Sequence, residues 1–252
     1  TASGFQAKAS VSVAPATGGS CLALSPGAYT VLSNITITEA AVTDFAVQSG
    51  TTLILTAPAG FEFNPAAGSL SVAAGADIAL ATLSMTTTTI TVTLNIPTNT
   101  KMDILRIRNI EVRATAANAS GQIQRLAAGG TATIAGDAPG AGIGHGFLLA
   151  VGAGGTFTTA ANGLWSSPAT WAGGVIPSCG DNVIIQHQIT SDMTIGVNNL
   201  TINNTGKLTS DLAVSVAGTF AITGNGAYTH NNITDAATTI FAGIESFSAT
   251  ST

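Results

Sequence analysis

The chain has 252 residues, of which 45% are hydrophobic and only 8% charged, where ordinary soluble domains carry roughly 25% charged residues. Its mean hydropathy of +0.43 does not come from spanning helices, because clean apolar runs such as Gly146-Phe-Leu-Leu-Ala-Val-Gly152 fall far short of the ~20 residues a span needs. Abundant β-branched residues with little charge exclude a disordered chain, and seven Lys plus Arg against twelve Asp plus Glu cannot form the basic footprint of a nucleic-acid binder.

Helical periodicity is almost absent. Short alternating or β-branched runs separated by Gly, Pro and Asn predict strands at 9–13, 29–38, 51–57, 69–73, 78–83, 87–95, 104–114 and 130–135. From Ile90 to Ile96 Thr alternates with apolar residues, so one face is buried and the other wet, as in an antiparallel sheet. The set predicts an all-β fold opening with an N-terminal, Ig-like β-sandwich over 1–137. Arg106, Arg108 and Glu111 fall within one predicted strand, with Arg106 and Arg108 on a solvated face opposite Leu105 and Ile107. The Gly/Ala/Pro-rich stretch 138–155 reads as a connection, within which 147–151 has the character of a strand.

The second half, 156–252, behaves differently. Apolar triplets begin at Val183, Leu200, Phe220 and Thr239, a spacing near ~20 residues with one short strand per unit, which is the signature of a β-solenoid. Secondary strands are expected at 193–195 and 212–216. Asn pairs at 198–199, 203–204 and 231–232 follow the same drift, and Asn suits solenoid corners because it tolerates left-handed backbone and its amide stacks between coils.

The run Trp165-Ser-Ser-Pro-Ala-Thr-Trp171-Ala-Gly-Gly-Val-Ile-Pro177, followed by Gly180-Asp-Asn-Val-Ile-Ile185, resembles the opening of the right-handed β-helices in large secreted or cell-surface proteins of the Bacteroidetes type. It is similar to the start of the G8 domain, and Asn199-Leu-Thr-Ile-Asn203 with Gly206-Lys-Leu208 resembles the coil that follows. The likeness covers residues 160–224. Residues 53–63 and 110–115 are loosely similar to the β-sandwich modules that accompany such helices. The resemblance implies a short right-handed parallel β-helix after the sandwich, an extracellular location, and a structural, adhesive or carbohydrate-associated role. Trp165 and Trp171 then cap the open end of the solenoid with large apolar surfaces, or alternatively stack on sugars.

The two cysteines, Cys21 and Cys179, are too few for a zinc cluster. They either pair in an oxidising compartment, closing a loop worth ~5 kcal/mol in the chain-entropy model, or are two small buried thiols. The N-terminus lacks an initiator Met and reads as the mature end of a secreted chain or as an artificial boundary.

Catalytic chemistry is hard to find. His145, His187 and His230 have no Cys or carboxylate at metal-ligand spacing, no Gly-x-Ser-x-Gly occurs, and the glycines of 140–146 lack a strand–helix context for dinucleotide binding. Asp181, Asp192 and Asp211 form at most a weak Ca²⁺ site across neighbouring coils. The expectation is a non-enzyme without cofactor or metal: an extracellular structural or adhesive surface protein, a subunit or segment of a fibre. Its partners would be further copies of itself, joined head-to-tail, or neighbouring domains of a larger surface protein. The stretch Phe5, Ala7, Ala9, Val11 and Val13 is a candidate donor strand for a solenoid end that carries no recognisable cap. A carbohydrate-binding module stacking glycans on Trp165, Trp171 or Tyr228 is the alternative, and a fragment of an enzyme is the third reading.

Overall fold

The computed structural model describes residues 10–73, 76–203, 205–230, 240–241 and 245–247. These form two compact units, one of 1–115 with 119–148, the other of 116–118 with 149–252. The described residues hold strands and one short 3₁₀ turn, with no α-helix.

The first unit contains β1 (Ser12–Ala14), β2 (Thr30–Val31), β3 (Ile35–Thr38), β4 (Gln48–Thr56), β5 (Phe61–Phe63), β6 (Ser69–Val72), β7 (Leu80–Met85), β8 (Thr89–Ile96), β9 (Ile104–Arg108), β10 (Glu111–Ala114), β11 (Ser120–Gln124) and β12 (Gly144–Leu149). They make three sheets, ordered β1-β3-β9-β6, β2-β10-β5 and β12-β11-β4-β8-β7. The Thr/apolar alternation of β8 works as expected: Ile90, Val92, Leu94 and Ile96 are fully buried, while Thr89, Thr91 and Thr93 pair across to Thr56, Ile54 and Thr52 on the wetter face. Leu53 and Leu55 of β4, Ile35 and Ile37 of β3, and Leu105 and Ile107 of β9 complete the apolar faces.

Two predicted long strands are each broken. The run 104–114 divides at Asn109, whose φ of 53° lies in the left-handed region that an Asn side chain tolerates. Arg106 and Arg108 therefore lie in β9 and Glu111 in β10, which belongs to a different sheet. The run 29–38 divides in the same way into β2 and β3. Because β2 pairs with β10 and β3 with β9, the two chains change sheets side by side, and the Leu32 amide still bonds the Ile110 carbonyl at 2.8 Å. The predicted strand 130–135 is reduced to a single bridge between Ile134 and Phe45. β12 occupies part of the stretch read as a connection.

The second unit is built from parallel pairs. β13 (Thr156–Thr158), β15 (Asn182–Ile185), β18 (Asn199–Ile202), β21 (Phe220–Ile222) and β24 (Glu245–Phe247) form one sheet. A second holds β14 (Gly163–Leu164), β16 (Gln188–Ser191), β19 (Lys207–Ser210) and β22 (Ala227–His230), and a third holds β17 (Ile195–Val197), β20 (Val214–Val216) and β23 (Ile240–Phe241). Each circuit of the chain thus adds one strand to each sheet in turn. Like positions stack: Val183 on Leu200 on Phe220, Ile189 on Leu208, and Val197 on Val216, all nearly inaccessible to solvent.

The fourth triplet breaks the expected order. Ile240-Phe241 continues the third sheet beside β20, and it is β24 that pairs with β21 in the first sheet. The expected pair Asn231-Asn232 lies outside the described residues.

Candidate functional site

The first circuit of the second unit ends in a cover over its own outer edge. Beyond β13, Thr159 forms an antiparallel bridge with Trp171, and the Ala160 and Ala172 amides bond the Thr170 and Thr158 carbonyls at 2.8 and 2.9 Å. The 3₁₀ turn Pro168–Thr170 brings the Thr170 hydroxyl onto the Leu164 carbonyl at 2.8 Å. Two strand edges that begin the parallel sheets are thereby supplied with hydrogen-bond partners. Trp165 and Trp171 meet edge to face at 4.8 Å between ring centroids, and the Trp171 indole N–H donates to the Trp165 carbonyl at 2.8 Å. Their exposures are 1% and 2%, so neither indole presents a face on which a sugar could stack. Tyr228 stands in the column of Leu208 and meets Phe220 edge to face, again a packed ring.

Asp181, expected as a cation ligand, is a fully buried hub. Its carboxylate accepts from the Gly154 and Gly155 amides, both at 3.1 Å, from the Ser178 amide at 3.0 Å and from Asn118 Nδ2 at 3.0 Å. A Cβ on Gly152 would collide with it. Asp192 instead takes the Ser166 amide and hydroxyl, and Asp211 is exposed. Among the described residues no group of three or more His, Cys, Asp or Glu is placed to hold a metal, so the three aspartates do not converge.

Asn stacking at a corner does occur. Asn182 Oδ1 accepts from Asn199 Nδ2 at 2.5 Å and Asn198 Nδ2 at 3.2 Å, and Asn199 Oδ1 accepts from the Thr219 amide at 2.7 Å. On the second sheet an outward column runs through Leu164, Thr190, Thr209 and Thr229. Inside it, Ser191 and Ser210 repeat one another, each hydroxyl donating to the carbonyl two residues on, at 2.5 and 2.7 Å.

Two buried polar groups in the first unit have no signature in the sequence. In the first, Arg125 is 1% exposed and donates to the carbonyls of Gly129, Ala132 and Asp137. Burial holds its guanidinium below the ordinary arginine range, and the Asp137 carboxylate partly offsets this. His145 is fully buried and lies 3.2 Å from Asp137, so a histidine expected to lack a carboxylate has one. The second group is Glu39, Asp44, Asp77 and Asp103, all at most 5% exposed. His187, in the second unit, meets the Thr159 hydroxyl at 2.9 Å.

Both cysteines are disulfide-bonded, as the pair Cys21–Cys179. The donor-strand expectation fares differently. Phe5, Ala7 and Ala9 lie outside the described residues, whereas Val11 donates its amide to the Ala135 carbonyl at 2.9 Å and Val13 pairs with Ile37 in β1–β3. Val11 and Val13 are thus committed to their own unit, because backbone groups already paired there are not available to a neighbour.

No family model, curated protein or solved structure matches the chain.

Proposed function

We propose that this chain is a non-catalytic, extracellular structural or adhesive surface protein, a subunit or segment of a fibre. In finer detail we read the first unit as an Ig-like β-sandwich and the second as a short β-helix, right-handed because connections between parallel strands overwhelmingly take that hand. The observation that carries the reading is the one-sided closure of the parallel stack. The 158–160 and 170–172 pairing covers its first edge, so the stack can be extended by further strands in one direction only. Three supporting features point the same way. The surface carries few charges to oppose association, the disulfide suits an oxidising compartment, and the segment 160–224 resembles the opening of β-helices in secreted surface proteins. The candidate partners are therefore a further copy or a neighbouring domain that adds strands beyond β24.

Electron microscopy of the purified native protein, with its mass measured across a hundredfold concentration range, tests this. Regular filaments or a concentration-dependent oligomer are expected. Dispersed monomers throughout would overturn the fibre assignment.

A further inference from the structure

Loops 39–45, 76–78 and 98–103 of the first unit are joined by a chain of carboxylates. Glu39 accepts from the Phe45 amide at 2.6 Å and the Asp103 amide at 2.7 Å. Asp103 accepts from the Asp77 amide at 2.8 Å. Asp77 accepts from the Lys101 amide at 2.6 Å, from the Thr98 and Thr100 hydroxyls at 2.7 and 3.2 Å, and from the Thr100 amide. Asp44 closes the first loop by accepting the Ala40 and Ala41 amides through one oxygen, both at 2.9 Å, while its other oxygen is buried without a partner. Glu39, Asp44 and Asp103 are at most 3% exposed and Asp77 is 5% exposed. Among the described residues none of the four makes an ion pair.

Buried carboxylates that repel one another and have no cation partner relieve the strain by holding a proton. We propose that these three loops form a proton-operated clasp: a proton held by the Glu39–Asp103 pair keeps the loops joined, and its loss loosens them by repulsion among Glu39, Asp44, Asp77 and Asp103. Glu39 feels Asp103 and Asp44, and Asp103 feels Asp77 against the opposing charge of Lys101. Desolvation raises both the Glu39 and Asp103 carboxyls above their ordinary values. A raised acid binds its proton more tightly in the closed form, so its contribution is present at low pH and is lost as pH rises through the raised value. Asp77 has the opposite sign: hydrogen bonds, that of Thr98 first, lower its carboxyl, and its contribution is lost as pH falls. The clasp is therefore tightest in mild acid and opens on either side.

Carboxyl-detected NMR titration of the whole disulfide-bonded chain, with hydrogen exchange at the Phe45, Asp77 and Asp103 amides, reads this directly. The expected result is titration of Glu39 or Asp103 above the normal carboxylate range. Protection at the three amides, corrected for intrinsic exchange, should fall about tenfold per pH unit across that window, as one linked proton requires. Glu39→Gln and Asp103→Asn should flatten the slope. Normal titration of both acids in the wild-type chain, or protection independent of pH, would overturn the proposal even if neither variant folds.

Discussion

A buried carboxylate accepting four hydrogen bonds is a structural tie, and Asp181 shows how such a residue passes for a ligand in a sequence. It sits in a turn beside Gly180 and Asn182, where cation-binding acids also sit, but its acceptors are spent on Gly154, Gly155, Ser178 and Asn118. Asp181→Ala should destabilise the second unit by about 3 kcal/mol or more, because each orphaned donor costs on the order of 1–3 kcal/mol, and added Ca²⁺ should leave the wild-type melting temperature unchanged. A calcium-dependent rise would reinstate the site. The two tryptophans make a parallel case. Trp171→Phe removes the bond to the Trp165 carbonyl while keeping a ring, and should cost about 1–2 kcal/mol. Both indoles should emit at short wavelength and resist iodide quenching, and oligosaccharides should not change the emission.

At the scale of elements, the second unit depends on tight corners that recur with the circuits. Gly206 precedes β19 and Gly226 precedes β22, and a Cβ at either would collide with the carbonyl of the circuit before, Ile185 and Ile202 respectively. Gly206→Ala should therefore lower the unfolding midpoint more than Gly173→Ala, a position with open space around its missing Cβ although its φ of 86° adds strain of its own. Equal effects would show that backbone conformation, and not the packing of circuits, limits these corners. The same circuits explain how much of the fold is legible in the sequence. Val183, Leu200 and Phe220 stand out because consecutive apolar residues mark β15, β18 and β21. β16 and β19 are hidden because their inward positions pair an aliphatic residue with serine, Ile189 with Ser191 and Leu208 with Ser210. The longer connection between β22 and β23 moves Ile240-Phe241 into another sheet, which a fixed spacing cannot register. In the first unit, β11 (Ser-Gly-Gln-Ile-Gln) carries one apolar residue and so shows no pattern, and the sheet change at Asn109 is invisible to an alternation that continues through it. The buried acids are illegible for a different reason: Glu39, Asp77 and Asp103 are far apart in the chain and meet only through folding.

At the scale of the whole molecule, one covalent bond spans most of the chain, and its effect belongs chiefly to the unfolded state. Cys21–Cys179 closes a loop of more than ~150 residues, for which the chain-entropy model gives ~5 kcal/mol. Under denaturing conditions without reductant, a maleimide should label neither cysteine, and after reduction it should label both. Labelling before reduction would contradict the bond. Reduction should also lower the denaturant midpoint and steepen the transition, because the uncrosslinked denatured chain is more expanded and exposes more surface on unfolding. A midpoint that falls with an unchanged slope would instead mean that the bond acts by holding native structure together.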